Sequence, residues 1–307
     1  MTAPYIGRFA PSPTGPLHEG SLVAALASWL DARARSGNWR VRLEDLDAAR
    51  NVAGAAESIL AQLDRCGLHA DGPVDVQSNR TDRYDVALER LFADGRAYRC
   101  NCSRRDLRDA IGPAGGARPR HAGQLYPGTC RNGVRGGGAG ADRCAIRFRL
   151  DPGSGPRAAD DPPLPVRWVD RRLGAQCQDV AGEVGDFVLL RRDGIRAYQL
   201  AVVVDDAADG VTDIVRGEDL ADNTPRQILL QQALGLPRPR YLHAPLVLAP
   251  DGEKLSKQNG ARPLDLTSPL AALQRAGEVL DLRNDGADAA GWLAAAVGQW
   301  RARWPSP

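Results

Sequence analysis

The N-terminal part of the chain alternates strand-like and helix-like segments. "YIGRFA" is a short strand candidate, and the turn-rich "PSPTGPLHEG" separates it from "SLVAALASWLDARARSG", which predicts a helix with Ser21 as its N-cap and Gly37 as its stop. "WRVRLEDLD" predicts a second strand and "AGAAESILAQLDRCG" a second helix, because its apolar residues recur at helical spacing. This alternation predicts an α/β fold in which crossover helices connect the strands of a parallel sheet.

Further along, a change in composition predicts an insertion. A third helix candidate, "TDRYDVALERLFADG", has Thr81 or Asp82 as its cap, and the stretch from the next cysteines to about residue 142 is too rich in Gly, Pro and Arg to pack regularly. Beyond it, the unbroken run "LAVVVDD" predicts a strand buried on both faces with carboxylates at its C-terminal end. The remaining segments predict strands at "CAIRFRL", "VRWVD", "GDFVLLRRDG" and "HAPLVLAP", and helices at "TPRQILLQQALG", "PLAALQRAGEVLDL" and "ADAAGWLAAAVGQWRARW".

Composition excludes several classes of protein. The 307 residues are 43% hydrophobic, which is enough for the core of one large domain or of a few smaller ones. No apolar run approaches the roughly 18 residues that a membrane span needs, and the N-terminus lacks a basic stretch followed by an apolar core, so we expect a cytoplasmic protein without membrane contact. The formal net charge of +2 creates no global field for nucleic acid, and such binding therefore requires a local patch.

Both lysines of the chain lie in one short segment, "DGEKLSKQNG". Of 40 basic residues only Lys254 and Lys257 are lysine, and the rest are arginine. An ammonium group on a flexible stem acts as a compact point charge that a planar guanidinium does not replace, so this pairing indicates a functional site rather than chance. On a loop after a strand, two such cations can close over a polyphosphate, although the chain has no G-x-x-x-x-G-K-[ST] motif.

The turn "RFAPSPTGPLHEGS" predicts a second phosphate-binding element. It leads from the first predicted strand into the first predicted helix, so backbone N–H groups at the helix N-terminus are exposed there and suit a phosphate. His18 beside Gly20 adds a further donor. Taken alone, His18 is equally consistent with a surface histidine.

Together these motifs resemble those of class I aminoacyl-tRNA synthetases. "LHEGS" is similar to their HIGH signature and "KLSKQ" to their KMSKS signature, while "GRFAPSPTGPLHEGSL" and "AYQLAVVVDDAADGVTDIVRGEDL" resemble the glutamyl and glutaminyl branch, over about residues 5 to 265. The resemblance implies a Rossmann-type catalytic domain that joins an amino-acid carboxylate to the α-phosphate of ATP, with Mg²⁺ accompanying the nucleotide. It implies that catalysis and ATP binding fall to Lys257, supported by Lys254, and to His18, Gly20 and Ser21.

The resemblance also implies a pocket for glutamate. The amino-acid-binding positions of the family correspond here to Arg8, Ala10, Ser12, Glu44, Tyr198 and Arg216. Two arginines suit the carboxylates of glutamate and Glu44 suits its ammonium group, whereas an amide would face buried donors with an NH₂ group, which favours glutamate over glutamine. The pattern does not assign either arginine to a particular carboxylate, and each arginine taken singly is consistent with a surface ion pair. Glu19 departs from the family, which usually has an apolar or aromatic residue there.

Three cysteines in the predicted insertion indicate a metal site. A structural zinc site takes four tetrahedral ligands, and three are offered by Cys100, Cys102 and Cys130. By chemistry alone the fourth is His121, Cys144 or Tyr126, with His121 as the default because imidazole is a commoner zinc ligand than phenolate. The C-x-C…Y-x-x-x-C spacing is similar to the zinc site of one relative in which tyrosine coordinates, which implies Tyr126. A bound zinc would be structural, and reduced cysteines without metal are the alternative.

The length of the chain implies a particular sub-branch. Only about 45 residues follow the lysine loop, too few for the helical anticodon-binding region of full synthetases. The chain therefore resembles a shortened paralogue that attaches glutamate to the queuosine base of tRNA(Asp). The resemblance divides it into 1–98 and 186–250 as the two halves of the catalytic domain, 99–185 as the zinc-bearing insertion, and 251–307 as the lysine loop with a short C-terminal helical remnant.

The implied partners are L-glutamate, ATP and tRNA(Asp) carrying queuosine, and we expect a monomer. Arginines near the insertion are candidate phosphate contacts, or else a solvated face: Arg99, Arg104, Arg105, Arg108, Arg118 and Arg120. The alternatives are a compact synthetase that charges tRNA(Glu), against which the short C-terminus argues, and an inactive synthetase-like binding module, against which the intact His18, Lys257 and glutamate pocket argue. A small-molecule adenylyltransferase would not need that pocket.

Overall fold

Three groups of paired strands form the framework of the fold in the computed structural model, which describes residues 4–103, 105–107, 125–134, 144–150, 165–248 and 263–305. In chain order the strands are β1 (Ile6–Phe9), β2 (Asn38–Leu43), β3 (Asp75–Val76), β4 (Ala97–Cys100), β5 (Ala145–Phe148), β6 (Pro165–Asp170), β7 (Gly174–Asp179), β8 (Val188–Leu190), β9 (Asp213–Gly217) and β10 (Arg240–Ala244). The helices are α1 (Glu19–Ala34), α2 (Ala55–Arg65), α3 (Thr81–Ala93), α4 (Val180–Glu183), α5 (Tyr198–Ala208), α6 (Thr224–Ala233), α7 (Pro269–Val279) and α8 (Ala289–Arg303). Outside the described residues lie Lys254, Lys257, His121, Arg104, Arg108, Arg118 and Arg120.

The strand pairing confirms the predicted α/β architecture with a parallel sheet. β1 pairs in parallel with β2, and β2 with β3. Elsewhere β10 pairs in parallel with both β9 and β6, and β7 is the antiparallel partner of β6. β1 lies beside β9, where Thr212 N donates to Ile6 O at 2.9 Å. The strand order therefore reverses between β1 and β9, which is where sheets of this kind form their ligand crevice.

The predicted insertion contributes strands to two sheets. β4, β5 and β8 form an antiparallel sheet of their own. β6 and β7 also fall within 99–185, yet they extend the parallel sheet through β10. The division of the chain into domains remains a prediction, because strand pairing does not by itself delimit folding units.

The predicted helix caps are wrong at two helices. α1 begins before Ser21, and the cap is His18, whose Nδ1 accepts a hydrogen bond from the Ser21 N–H at 3.3 Å. At α3 neither Thr81 nor Asp82 caps, since Arg80 occupies the cap position without a side-chain bond. N-cap preferences favour small side chains that carry an oxygen, so they do not anticipate a ring nitrogen in this role.

The apolar run "LAVVVDD" is part of helix α5 rather than the predicted strand. Residues 200–203 are at most 2% exposed, so the helix is covered on all sides. A helix packed in this way is as uniformly apolar as a strand buried on both faces, and periodicity does not distinguish the two. The carboxylates of Asp205 and Asp206 are therefore buried on a helix instead of emerging at the end of a strand.

The strand predicted in "HAPLVLAP" lies nearer the N-terminus than expected. β10 begins at Arg240 and ends at Ala244. Pro245 has no N–H with which to continue the hydrogen-bonded ladder, so the chain leaves the sheet at this point. Residues 245–247 then form part of the wall of the cavity at the end of the strands.

The two predicted C-terminal helices are confirmed as α7 and α8, and both pack against α1 in one hydrophobic core. Asp31 of α1 is fully buried and accepts hydrogen bonds from Tyr5 Oη at 2.6 Å and from Trp300 Nε1 at 2.8 Å. Arg171 Nη1 pairs with the same carboxylate at 2.7 Å. Asp31 thus connects α1, α8 and the turn after β6. In the described ranges no helix combines the length and the apolar character that crossing a bilayer requires.

Candidate active site and metal centre

A cavity of about 460 Å³ opens where the strand order reverses. The C-terminal ends of β1, β9 and β10 and the start of α1 surround it. Glu44 is not among the residues that line it. The structure brings together in this cavity the predicted residues Arg8, Ala10, Ser12, His18, Gly20, Ser21, Tyr198 and Arg216. Residues far apart in the sequence meet here because the carboxyl ends of parallel strands share one edge of the sheet.

The start of α1 supplies hydrogen-bond donors for an anion. His18 Nδ1 accepts from the Ser21 N–H, so a neutral imidazole carries its proton on Nε2 and is a donor there. Gly20 lies against the ring, since a Cβ at this position would stand only 3.2 Å from His18 Cε1. The N–H groups of the first turn and the helix dipole add positive potential at the same end. This end of the cavity therefore suits a phosphate.

Glu19 does not line this cavity. Its carboxylate pairs with Nε of Arg275 on α7 at 3.1 Å, and the two side chains are 44% and 47% exposed. The carboxylate of Glu19, which departs from the usual family pattern, is therefore neutralised at the surface by Arg275 of the C-terminal helix α7.

Arg8 is fixed by a buried carboxylate. Its Nε donates to Oδ1 of Asp206 at 3.1 Å, and the same oxygen accepts from Nη2 of Arg42 at 2.7 Å. All three side chains belong to the buried interior. Burial alone would raise the pKa of Asp206, but Arg8 and Arg42 hold it below its ordinary value, so the carboxylate is ionised at neutral pH. The guanidinium of Arg8 is thereby held at the wall of the cavity.

Glu44 carries a buried oxygen that lacks a donor. In the described part of the chain nothing donates a hydrogen bond to Oε1, and Nη2 of Arg42 stands 3.6 Å away. Burial raises the pKa of Glu44 to about 7, against the opposing influence of Arg42 and Arg8. An ammonium group would supply both the charge and the donors that this carboxylate lacks.

Arg216 has neutral partners only, as far as the described residues show. Nε donates to Nε2 of His243 at 3.1 Å, Nη1 to Oη of Tyr198 at 3.3 Å, and Nη2 to Oγ1 of Thr224 at 2.8 Å. Its side chain is buried, with 4% of the residue exposed. A buried guanidinium without a carboxylate partner is costly, and a carboxylate ligand in the cavity would compensate it.

Sequence reasoning missed the residues that hold the predicted ones, namely Arg42, Asp206, Thr224 and His243. For Asp206 a signal was present, because two carboxylates directly after an apolar run need cationic partners if they are buried. Arg42 gave no signal, since arginine is the common cation of this chain. His243 and Thr224 became recognisable only once β9, β10 and α6 were placed side by side.

A second group of predicted residues lies at the edge of the antiparallel sheet. The Sγ atoms of Cys100, Cys102 and Cys130 lie within 4.8 Å of one another, and those of Cys102 and Cys130 are 3.5 Å apart. The hydroxyl of Tyr126 is 3.4 Å from Sγ of Cys100 and 3.9 Å from Sγ of Cys102. Tetrahedral zinc with Zn–S bonds of about 2.3 Å places its sulfur ligands about 3.8 Å apart, so this spacing fits the metal.

The surroundings of this cluster also fit a zinc site. Arg147 donates from Nε to Sγ of Cys100 at 3.4 Å, and its guanidinium lies 3.8 Å from the ring centre of Tyr126. Burial and the neighbouring thiols raise the pKa of Cys102 to about 12, so a bound divalent cation would favour its thiolate form. Soft thiolates with one phenolate suit Zn²⁺. Cys144 does not belong to the cluster.

Comparison with known proteins places the chain in a family. The family model described as tRNA synthetases class I (E and Q), catalytic domain, matches residues 6–267. A glutamyl-Q tRNA(Asp) synthetase of Albidiferax ferrireducens is 58% identical over 98% of this chain and 100% of that protein. Another, of Leptothrix cholodnii, is 56% identical over 99% of each. The crystal structure of a glutamate tRNA ligase from Elizabethkingia meningosepticum, in complex with its amino acid, has a TM-score of 0.74 and 26% identity, and it covers 95% of this chain and 64% of that one.

The fold, the matched family model and the extent of these similarities define the class of protein. The chain belongs to the class I tRNA synthetase family of the E and Q type, and within it to the glutamyl-Q tRNA(Asp) synthetases. It is accordingly a ligase. The resemblance that the two signature motifs indicated is confirmed.

Proposed function

We propose that this chain activates L-glutamate with ATP and transfers the glutamyl group to the queuosine base at the wobble position of tRNA(Asp). The observation that carries the proposal is the guanidinium of Arg216, which lines the cavity with neutral partners and so suits a substrate carboxylate. Glu44, with an oxygen that lacks a donor, suits the ammonium group of the same substrate. The relatives named glutamyl-Q tRNA(Asp) synthetases support queuosine-bearing tRNA(Asp) as the acceptor.

In the first step, a carboxylate oxygen of glutamate attacks the α-phosphorus of ATP. A new O–P bond forms, the bond between the α-phosphorus and the bridging oxygen breaks, and pyrophosphate leaves with Mg²⁺. No general base is needed, because the attacking carboxylate is already ionised. Arg8 and Arg216 orient the amino acid, while His18 and the start of α1 hold phosphate oxygens. Lys257, with Lys254 in support, stabilises the charge that builds up on the leaving pyrophosphate.

In the second step, a hydroxyl of the queuosine cyclopentenediol attacks the carbonyl carbon of the glutamyl adenylate. An ester bond forms, AMP leaves, and the hydroxyl proton passes to solvent or to the departing phosphate. An anticodon-loop nucleotide that is splayed out of its stack would reach the cavity, which is how proteins commonly read RNA loops. Arg99, exposed on β4, and Arg105 are the described members of the arginine group that we propose for phosphate contacts.

We propose that Cys100, Cys102, Tyr126 and Cys130 hold one structural Zn²⁺ that ties the insertion to the antiparallel sheet. The phenolic oxygen of Tyr126 accepts from the Cys130 N–H at 2.8 Å, which fixes it beside the sulfur atoms. Elemental analysis of the Tyr126→Phe and His121→Ala variants distinguishes the two candidates for the fourth ligand. We expect loss of zinc in the former and retention in the latter, and the reverse result would overturn the role of Tyr126.

The activation step is tested by exchange of labelled pyrophosphate into ATP, with glutamate, Mg²⁺ and no RNA. We expect exchange with glutamate, little with glutamine or aspartate, and none in a Lys257→Ala variant. Arg216→Lys tests the amino-acid pocket, since lysine keeps the positive charge but lacks the planar guanidinium that can bind a carboxylate through two hydrogen bonds. Absence of exchange in the unmodified protein would count against the proposed activation of free glutamate.

The acceptor is tested by offering labelled glutamate with tRNA(Asp) that carries queuosine, with the same tRNA lacking it, and with tRNA(Glu). We expect transfer to the first only. Transfer to tRNA(Glu) would favour a compact synthetase of the ordinary type. The predicted monomeric state is checked in the same preparation by light scattering.

A further inference from the structure

A buried histidine and aspartate lie behind the guanidinium of Arg216. Nε of Arg216 donates to Nε2 of His243 at 3.1 Å, and Nδ1 of His243 lies 2.7 Å from Oδ2 of Asp170. His243 is 0% and Asp170 1% exposed. Both lie behind Arg216, which lines the cavity and whose Nε contacts the imidazole, so the pair is placed to act on a ligand through Arg216.

The hydrogen bonds around His243 fix the position of its proton. Nε2 faces two donors: Nε of Arg216 and the hydroxyl of Thr224, at 3.4 Å, whose oxygen in turn accepts from Nη2 of Arg216. Nδ1 faces the carboxylate of Asp170. A neutral imidazole has one donor nitrogen and one acceptor nitrogen, so this ring carries its proton on Nδ1 and accepts at Nε2.

Burial and the nearby cations favour the neutral form of the ring. Burial lowers the pKa of His243, and the nearby cations of Arg216 and Arg172 lower it further, against Asp170, which raises it; the net pKa is below the ordinary value. The ring of Tyr241 also stacks on the imidazole, with the ring centres 6.3 Å apart. Asp170 is itself immobilised, because Oδ1 accepts from the N–H groups of Arg172 at 3.0 Å and Leu173 at 2.9 Å.

We propose that Asp170 and His243 are positioning residues for amino-acid recognition, which hold the guanidinium of Arg216 in the orientation that receives the substrate carboxylate. The inference rests on the proposed glutamate pocket. A protein carboxylate in direct contact with Arg216 would also orient the guanidinium, but it would compete with the substrate carboxylate for the positive charge of the guanidinium. A neutral imidazole orients the guanidinium without that competition, while Asp170 sets the tautomer from the far side of the ring.

Two variants of His243 separate this role from general packing. His243→Phe keeps an aromatic ring but leaves Nε of Arg216 without an acceptor, and we expect the KM for glutamate to rise about tenfold to hundredfold in pyrophosphate exchange, with the KM for ATP unchanged. In His243→Gln the side-chain carbonyl reaches the position of Nε2, and we expect most of the loss to be rescued. An unchanged KM for glutamate in His243→Phe, or a rise in the KM for ATP of equal size, would overturn the proposal.

The tautomer gives a second readout that packing alone would not change. The chain has four histidines, so comparison with His243→Gln assigns the His243 signals in a two-bond proton–nitrogen spectrum. We expect the Nδ1–H form in the unmodified protein. In Asp170→Asn an amide NH₂ can donate to Nδ1 and force the other tautomer, which turns a donor toward Arg216, and a higher KM for glutamate should accompany the change. Observation of the Nε2–H form in the unmodified protein would overturn the proposal even if a variant fails to fold.

The same experiments keep this inference separate from the proposed function. Failure of the unmodified protein to activate glutamate would refute the proposed function, and with it the role of the pair in glutamate recognition. Activation of glutamate that does not depend on His243 would refute only the present inference.

Discussion

At the level of single residues, Glu44 has a carboxyl group that changes its charge near neutral pH, because burial raises its pKa to about 7. Only the ionised form attracts the substrate ammonium group, and protonation increases as the pH falls. We therefore expect kcat/KM for glutamate to decrease about tenfold per pH unit below that pKa and to level off above it. The measurement is pyrophosphate exchange at saturating ATP. Glu44→Gln should have a low kcat/KM for glutamate that no longer decreases below this pKa. A kcat/KM that does not change with pH in the unmodified protein would contradict the role of Glu44.

Gly20 tests the arrangement at the start of α1. In Gly20→Ala the new Cβ would lie 3.2 Å from His18 Cε1, so the imidazole must move from its place over the first turn. We expect the KM for ATP to rise several-fold, while the secondary structure is retained. The matched control is Gly298→Ala in α8, where the new Cβ would have no described atom within 4 Å apart from the neighbouring backbone of its own helix. That variant should leave the kinetics unchanged and raise the free energy of unfolding by about 0.4 to 1 kcal/mol, because alanine favours the helix. Equal kinetics in the two variants would contradict the role of His18.

At the level of elements, the cysteine cluster joins the end of β4 to residues 126–130 of the insertion. We expect Cys102→Ser to lower the zinc content from about one ion per chain to near zero and to increase proteolysis within the insertion, because a thiolate ligand is lost. Cys177→Ser is the matched control, since Cys177 is an exposed cysteine on β7 outside the cluster. Metal analysis after purification without chelator is the measurement. Equal zinc content in both variants would contradict the site.

How far an element could be predicted from the sequence depended on whether its signal was local. The helices α1, α2 and α6 followed from local sequence patterns, which are properties of neighbouring residues. The cavity residues Arg8, His18 and Arg216 followed from the resemblance of short motifs to those of a known family. The helix α5 was mistaken for a strand because burial on all sides removes periodicity. The cap of α1 and the ion pairs of Asp206 could not be predicted, because they depend on contacts between segments distant in the chain.

At the level of the whole molecule, Asp31 holds the C-terminal helix α8 against α1 and the turn after β6. Burial alone would raise the pKa of Asp31, but hydrogen bonds from Arg171, Trp300 and Tyr5 lower it below the ordinary value. Its stabilising effect is therefore present above the ordinary aspartate pKa and is lost as the pH falls through the lowered one.

We expect Asp31→Asn to reduce the free energy of unfolding by about 3 kcal/mol, because the partly buried Arg171 and Arg35 lose their shared anionic partner. Chemical denaturation measures the change. The matched control is Asp281→Asn, which removes an exposed ion pair with Arg303 and should cost less than about 1 kcal/mol. A similar small change in both variants would show that α8 docks by apolar packing alone.

The imidazole of His18 both caps the first helix and lines the end of the cavity that suits a phosphate. A descendant of this chain that had abandoned nucleotide chemistry would still lose helix stability on replacing that ring, so selection for folding alone would preserve it. Retention of the histidine in the HIGH-like motif is consequently weak evidence that a distant homologue is active. Retention of Arg216 is better evidence, because a buried guanidinium is costly unless an anionic ligand binds it.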